Sequence, residues 1–277
     1  MLINTFCHIP KISVNSEQKI WDSGVLSWND LNTDTGKKLP FSRREKLANY
    51  TQESMNHLKN DNPVYFYEQL PKQLHWRLFP HFRKSVAYID IETSGLYCDA
   101  NYITSISLYD GKDIYCYVKG QNLEDFLTDI QRYNLIVTYN GKCFDVPFIE
   151  NYFKTKLPKA HIDLRYIMHN LGYKGGLKGC EKQLGLDRKE LDGVDGYFAV
   201  LLWQDYQVND NKKALETLLA YNIMDVVNLE VLMVMAYNLN LEKTPFHQTH
   251  LIPRPILPEI PYHADIPTIE KIKRRLR

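Results

Sequence analysis

Four carboxylates and one tyrosine, spread over three segments, have the types and spacing to do chemistry. Asp90 and Glu92 stand two apart in VAYIDIETSGL. Residues two apart on an extended chain face the same side, so both acids emerge together from the end of an apolar run. Like charges held that close are costly unless water or a cation compensates them. Asp145 follows an apolar run and a polar turn in LIVTYNGKCFDVPFIE, where Pro147 suits the first turn of a helix. Tyr221 and Asp225 are four apart in LLAYNIMDVVNLEVL, a helical spacing that puts both on one face. Leu218, Leu219, Ile223, Val226, Val227 and Leu229 wrap widely around that helix. Asp225 is therefore expected to be buried and to need a partner from elsewhere in the chain.

Each group has an ordinary reading by itself. Asp90 and Glu92 fit a solvated strand end, Asp145 fits a helix cap, and Tyr221 with Asp225 fits a core tyrosine beside a backbone-bonded acid. Together they make the set that two-metal phosphodiester hydrolysis requires. There, two divalent ions about 3.5–4 Å apart clamp the attacking and leaving oxygens. Mg²⁺ and Mn²⁺ take oxygen ligands, so Asp and Glu are the right types. The five cysteines, Cys7, Cys98, Cys116, Cys143 and Cys180, are scattered and form no Cys-x-x-Cys pair. That argues against a zinc knuckle and against a disulfide framework.

The elements that must position these residues follow from periodicity. Short apolar runs rich in β-branched and aromatic residues predict strands over 86–91, 103–109, 114–118 and 135–139, with Asp110-Gly111 turning a hairpin. Helical patterns cover 123–132, 147–153, 164–171, 177–184, 196–206 and 214–237. Strands with a hairpin, followed by alternating strand and helix, predict an α/β domain with a mixed sheet over 84–241. Before it, residues 1–83 read as a small helical segment. Ser16 or Asn15 caps a helix that carries Ile20 and Trp21, and a second helix spans 42–58. After it, residues 242–277 hold Pro245, Pro253, Pro255, Pro258, Pro261 and Pro267, which predict an extended tail. The tail ends in KIKRRLR, either a solvated basic end or a nucleic-acid contact.

A net charge of +1 is nearly silent about partners, because acidic and basic patches cancel in the sum. No apolar run approaches the roughly 20 residues of a membrane span, the nearest being 231–236. The start MLINTFCHIPKISVNSEQ lacks a basic region followed by an apolar one. The expectation is a cytoplasmic protein with no membrane contact.

With these residues in view, IDIETSGL, YNGKCFD and YNIMD resemble the three motifs of the DEDD exonuclease superfamily. The tyrosine four before the last aspartate resembles the DEDDy subclass. Between the motifs, HIDLRYIMHNLGYKGGLKGCEKQLGLDR and GVDGYFAVLLWQDY are similar to bacterial and archaeal ribonuclease H-like domain proteins held to be exonucleases. The resemblance covers 86–237. It implies an α/β ribonuclease H-like mixed sheet flanked by helices. It also implies a 3′→5′ exonuclease that uses two Mg²⁺ or Mn²⁺ ions and releases nucleoside 5′-monophosphates.

Residue by residue, the resemblance implies that Asp90 bridges both metals. Glu92 and Asp225 hold the metal that carries the attacking water, Tyr221 orients that water, and Asp145 supports the second metal through its water shell. It further implies that Leu96 and Phe144 wedge the terminal bases, that Asn140 lies near the sugar-phosphate, and that Lys178, after the Gly175-Gly176 turn, meets a phosphate. The partner implied is a single-stranded 3′ end, DNA in preference to RNA. An RNA-directed or internally cutting nuclease, and a silent nucleic-acid-binding module, are the alternatives. The lead FCHIPKISVNSEQKIWDSGVLSWNDL resembles a helix-hairpin-helix element. Its turn Pro10-Lys11-Ile12-Ser13 lacks the usual glycines, so packing is as good an expectation as phosphate binding.

Overall fold

Five strands form one mixed sheet in the computed structural model, which describes residues 1–157 and 159–275. They are β1 (Val86–Thr93), β2 (Ile103–Tyr109), β3 (Ile114–Val118), β4 (Leu135–Thr138) and β5 (Ala160–Asp163). Their spatial order is β3-β2-β1-β4-β5. β1 is antiparallel to β2 and parallel to β4, and β4 is parallel to β5. A strand covered on both faces reads as an unbroken apolar run, and β1 is buried along its length except at Asp90. β5 was not anticipated. It has only four residues, and His161 and Asp163 interrupt any apolar pattern.

One sheet face, through Tyr88, Leu135, Val137 and Ile162, packs against the later helices. Those are α7 (Leu164–Asn170), α8 (Gly176–Gln183), α9 (Gly196–Asn209) and α10 (Lys212–Leu241). The opposite face, through Ala87, Ile89, Ile106 and Ile136, packs against Phe126, Phe148 and Ile149. These come from α5 (Phe126–Asp129) and α6 (Asp145–Phe153). The helix expected over 123–132 is one α-turn flanked by 3-10 turns.

α10 is the spine of the domain and lies against β1, β2 and α9. It corrects the expectation that no run is long and apolar enough to cross a membrane. By length and composition α10 is, yet its apolar stretch is almost wholly buried inside the fold. Its polar residues, Asn222, Asp225, Asn228 and Glu230, hid the length of the run, and all are buried.

The leading segment holds α1 (Val14–Asp22), α2 (Phe41–Lys59), α3 (Pro63–Gln69) and α4 (Phe79–Phe82). Ser13 caps α1, accepting from Ser16 N at 3.2 Å, in place of the expected Asn15 or Ser16. Its core, including Phe6, Ile20, Trp21, Trp28 and Phe66, runs on without a break into the layer under α10. In the tail, residues 242–265 contain no helix or strand. The chain then forms α11 (Ile266–Arg275), which corrects the expectation of an extended segment to the end. Ile269 and Ile272, three apart, bury one face of α11 against the α9–α10 pair, and Pro267 sits in its first turn. The basic end is not simply solvated, since Lys271 and Arg275 pair with Asp205 at 3.4 and 3.3 Å. Leu276 and Arg277 lie outside the described residues.

Candidate active site

β1 delivers Asp90 and Glu92 to the side facing α10. Asp90 lies opposite Ser107 and Glu92 opposite Ser105 on β2, and the register slips between Glu92 and Thr93. Small serines here leave room for acids from α10. Asn222 of α10 donates to Asp90 Oδ2 at 2.7 Å and accepts from Ser105 Oγ at 3.2 Å. This fully buried asparagine ties the strand acid to the helix that carries Tyr221 and Asp225.

Asp145 reaches the same place from the other direction. β1 pairs with β4 only over Val86–Tyr88, so further along β1 the Ile91 amide has no strand partner on that side. Asp145 Oδ1 accepts from it at 3.2 Å. Asp145 is the first residue of α6 rather than its cap, and the cap position is Phe144, which offers no side-chain acceptor. The turn before α6 is pinned by the unanticipated strand. Asp163 at the end of β5 accepts from the amides of Asn140 and Arg165 on one oxygen and from Lys142 on the other, at 2.8, 3.0 and 3.0 Å. Asn140 there takes φ 68°, a left-handed conformation that asparagine tolerates better than most residues.

Ligand oxygens of Asp90, Glu92 and Asp225 all lie within 4.8 Å of one another. Asp145 shares the cleft without joining that closest group. Burial is the largest influence on all four acids, and it pushes them up. Asp90 rises well above the carboxylate range, with Asp145, Asp225 and Glu92 adding repulsion against a smaller relief from Asn222. Glu92 rises well above it too, beside Asp225 and Asp145. Asp145 is pushed up to about 7. Asp225 is raised by burial although Arg188 pulls the other way.

Arg188 Nη2 lies 2.5 Å from Asp225 Oδ1. The contact is a charge pairing without hydrogen-bond alignment. Among the described residues, Asp225 Oδ1 and Arg188 Nη1 have no hydrogen-bond partner. Glu181 of α8 holds the guanidinium at 2.5 Å on Nε and 2.9 Å on Nη2, and Asn228 donates to Glu181 at 2.8 Å. Lys178 points inward as well. Its ammonium donates to the Val194 carbonyl and lies 4.7 Å from the centre of the Tyr221 ring. Lys178 is therefore half-buried against Tyr221 rather than a fully solvated helix end. Tyr221 is raised well above its ordinary range by burial, then by Asp225, Glu92 and Asp90.

The acids and Tyr221 floor a cleft of about 530 Å³. Leu96, Asn140, Phe144, Leu177, Tyr197 and Val200 line it. Leu96 and Tyr197 stand 77% and 64% exposed, unusually open for such side chains. Asn222 and Arg188 escaped the sequence reading. A buried asparagine within an apolar helix is a signal that would have found Asn222. Nothing local marks Arg188, which sits in a polar loop and is recruited by packing. The donor set consists of oxygens alone, with more acids than Arg188 and Lys178 offset. That fits a hard divalent cation.

Residues 87–237 match a family described as the RNase_H superfamily. No curated protein matches the chain. Among solved structures, the family B DNA polymerase of the hyperthermophilic archaeon Pyrobaculum calidifontis is similar over 57% of this chain, at 16% identity and TM-score 0.43. The match spans only 24% of the polymerase's own length. Brucella melitensis NrnC with bound Mg²⁺ is similar over 60% of this chain and 77% of its own, at 18% identity and TM-score 0.41. The apo form of a nuclease is similar over 62% and 90%, at 16% identity and TM-score 0.33.

Proposed function

The chain belongs to the RNase_H superfamily, and from that premise we propose that it is a metal-dependent 3′→5′ exonuclease of the DEDDy type. The observation that carries this reading is the close group of Asp90, Glu92 and Asp225 on the cleft floor, with Asp145 and Tyr221 beside it. Asp90, Glu92 and Asp225 would hold Mg²⁺ or Mn²⁺, with Asp145 supporting a second ion through water. Bound divalent ions supply an activated water and stabilise the charge that develops on phosphate oxygens.

The chain's own residues do the rest. Asn222 fixes the Asp90 carboxylate against α10. Tyr221, held well above its ordinary range, keeps its proton and serves as a positioning donor to the attacking water, not as a base. Leu96 and Phe144 flank the cleft where a terminal base would sit, and Asn140 lies where the sugar-phosphate would pass. An apolar rim around an acidic floor suits a frayed single strand, whose bases stack on exposed side chains. DNA is the favoured substrate.

The test is a time course on 5′-labelled single-stranded DNA and its RNA counterpart with Mn²⁺, Mg²⁺ or EDTA. The expected result is a metal-dependent ladder that shortens from the 3′ end and is lost in Asp90→Ala. Internal cuts, or cleavage that persists in Asp90→Ala, would overturn it.

A further inference from the structure

The acidic cleft does not end at Asn140. Tyr139, Asn140 and Leu177 also wall a second cavity of about 440 Å³, shared with Arg165, His169 and Lys174. His169 in turn walls a third of about 280 Å³, together with Lys72 and Lys142. The shared residues place the three side by side, in a row that leads from the carboxylates past Asn140 and Leu177 to His169.

The charge along this groove has one sign. Lys72, Arg165 and Lys174 are exposed, and Lys142 is half-buried. Among the described residues, the only carboxylate that lines the two outer cavities is Asp163. It is 3% exposed, and both its oxygens already accept from backbone amides. Arg165 also hydrogen-bonds Asn140, which ties the first cation of the groove to the cleft wall. Tyr173 and Tyr166 stand among these cations, Tyr166 being 48% exposed. Another cavity, on the α9–α11 side, is lined by Asp205 and Arg275, which pair with each other. Its cation is paired with an acid of the protein, whereas Lys72, Arg165 and Lys174 of the groove are exposed. A basic lane interleaved with aromatic rings is what a single strand needs, cations for its phosphates and π faces for its bases. The net charge of +1 conceals the lane because the acids lie elsewhere.

We propose that this groove is the binding path for the single strand behind its 3′ end. Phosphates upstream of the scissile bond meet Arg165 and Lys174 first, then Lys142 and Lys72, and upstream bases stack on Tyr173 and Tyr166. The proposal rests on the exonuclease reading of the cleft, because that reading sets which end enters the acids. It makes strand length a determinant of affinity. A dinucleotide fills only the acidic cleft, whereas a longer strand also occupies the lane.

The experiment measures fluorescence anisotropy of a 5′-labelled twelve-nucleotide single-stranded DNA and of a labelled dinucleotide. It uses the full chain with Ca²⁺ in place of Mg²⁺, from low to moderate salt. The native protein is compared with Lys72→Ala/Lys174→Ala and with the conservative Lys72→Arg/Lys174→Arg. The ratio of twelve-mer to dinucleotide affinity is expected to fall at least about tenfold in the alanine pair, and the salt slope to drop by about 1.4, roughly 0.7 per lost phosphate contact. The arginine pair is expected to restore both. An unchanged ratio and slope, or equal weakening of both ligands, would overturn the path. The outcomes separate the two readings. Native protein that binds the longer strand better, loses that preference in the alanine pair, and cuts nothing with Mg²⁺ or Mn²⁺ removes the exonuclease reading and keeps the groove as a single-strand path without its 3′-end assignment. Native protein that cuts but binds both lengths alike does the reverse.

Discussion

Glu17 in the leading segment and the acids of the cleft are both buried carboxylate sites, and the fold treats them oppositely. Glu17 accepts from Thr5 Oγ1, Phe6 N and Cys7 N at 2.7, 2.6 and 3.1 Å, and Arg77 pairs with it at 2.7 Å. Arg77 in turn lies over the rings of Trp21 and Trp76. Both oxygens of that carboxylate are met by groups of the protein. The cleft acids are left in mutual repulsion, raised together by burial and by one another. A carboxylate closed by its own chain is structural. A group that the chain leaves unbalanced marks where something from outside must bind.

The sharpest way to break this comparison is to neutralise one acid on each side. Asp90→Asn is expected to lower cleavage at least about a thousandfold, since a carboxylate that would hold the metal, as proposed for Asp90, would be worth several kcal/mol in the transition state. The same change should leave the metal-free melting temperature level or higher, because it removes one of several like charges. Single-turnover cleavage and thermal unfolding in EDTA measure the two effects. A marked fall in melting temperature would mean that the cleft is balanced without metal.

Glu17→Ala should behave in the opposite manner. It leaves the Arg77 charge buried and unpaired, a loss of about 3–5 kcal/mol in urea unfolding. Cleavage per folded molecule should stay level. Replacing both partners, Glu17→Met with Arg77→Met, is expected to recover most of that stability. If the double variant is no better than the single one, the pair is not the closed unit described here.

Stability against pH sharpens the contrast, because the two regions slope in opposite directions. Asp145 has its folded value pushed up to about 7 from 3.8, chiefly by burial. The native state keeps that proton longer than the unfolded chain does. Its contribution is fully present below about pH 3.8 and is lost as pH rises through about 7. His8 in the leading segment is lowered from 6.5 to about 3, by burial and then by Arg77. Its contribution is present above pH 6.5 and is lost as pH falls toward 3. In EDTA, Asp145→Asn should flatten the decline between about pH 4 and 7, and His8→Asn the decline on the acid side. Each slope is at most about 1.4 kcal/mol per pH unit. Unfolding curves at stepped pH check this: the two windows overlap between about pH 4 and 6.5, so the two variants should change the slope there with opposite sign, and changes of the same sign would defeat it.

The acids of the cleft were legible because phosphodiester chemistry demands those residue types, and strand and helix periods put them on shared faces. The mixed sheet and most of the helices that flank it were legible from the same periods. What escaped was set by tertiary contact. β5 is too short to show a period, yet its Asp163 pins the turn before α6. α11 is legible only once Ile269 and Ile272 find the α9–α10 pair. Asn222 looked like one more polar residue in a helix until Asp90 and Ser105 appeared on either side of it. Arg188 lies in a loop that has no pattern of its own.

Arg188 belongs to both halves of the comparison, and this makes it the finest test. Toward Glu181 it is a closing partner, as Arg77 is toward Glu17. Toward Asp225 it lends a share of positive charge that a metal would otherwise supply. A lysine at this position keeps the total charge but has no planar fork to span two acids. Arg188→Lys is therefore expected to stay with Glu181 and release Asp225. The cleft then becomes more negative by part of one charge, and Mn²⁺ should bind several-fold tighter, a change of about 1 kcal/mol. A Mn²⁺ titration read by electron paramagnetic resonance, without substrate, measures this directly. Weaker Mn²⁺ binding would instead mean that Arg188 holds Asp225 in position for the metal, and that closing one carboxylate is what keeps its neighbour open.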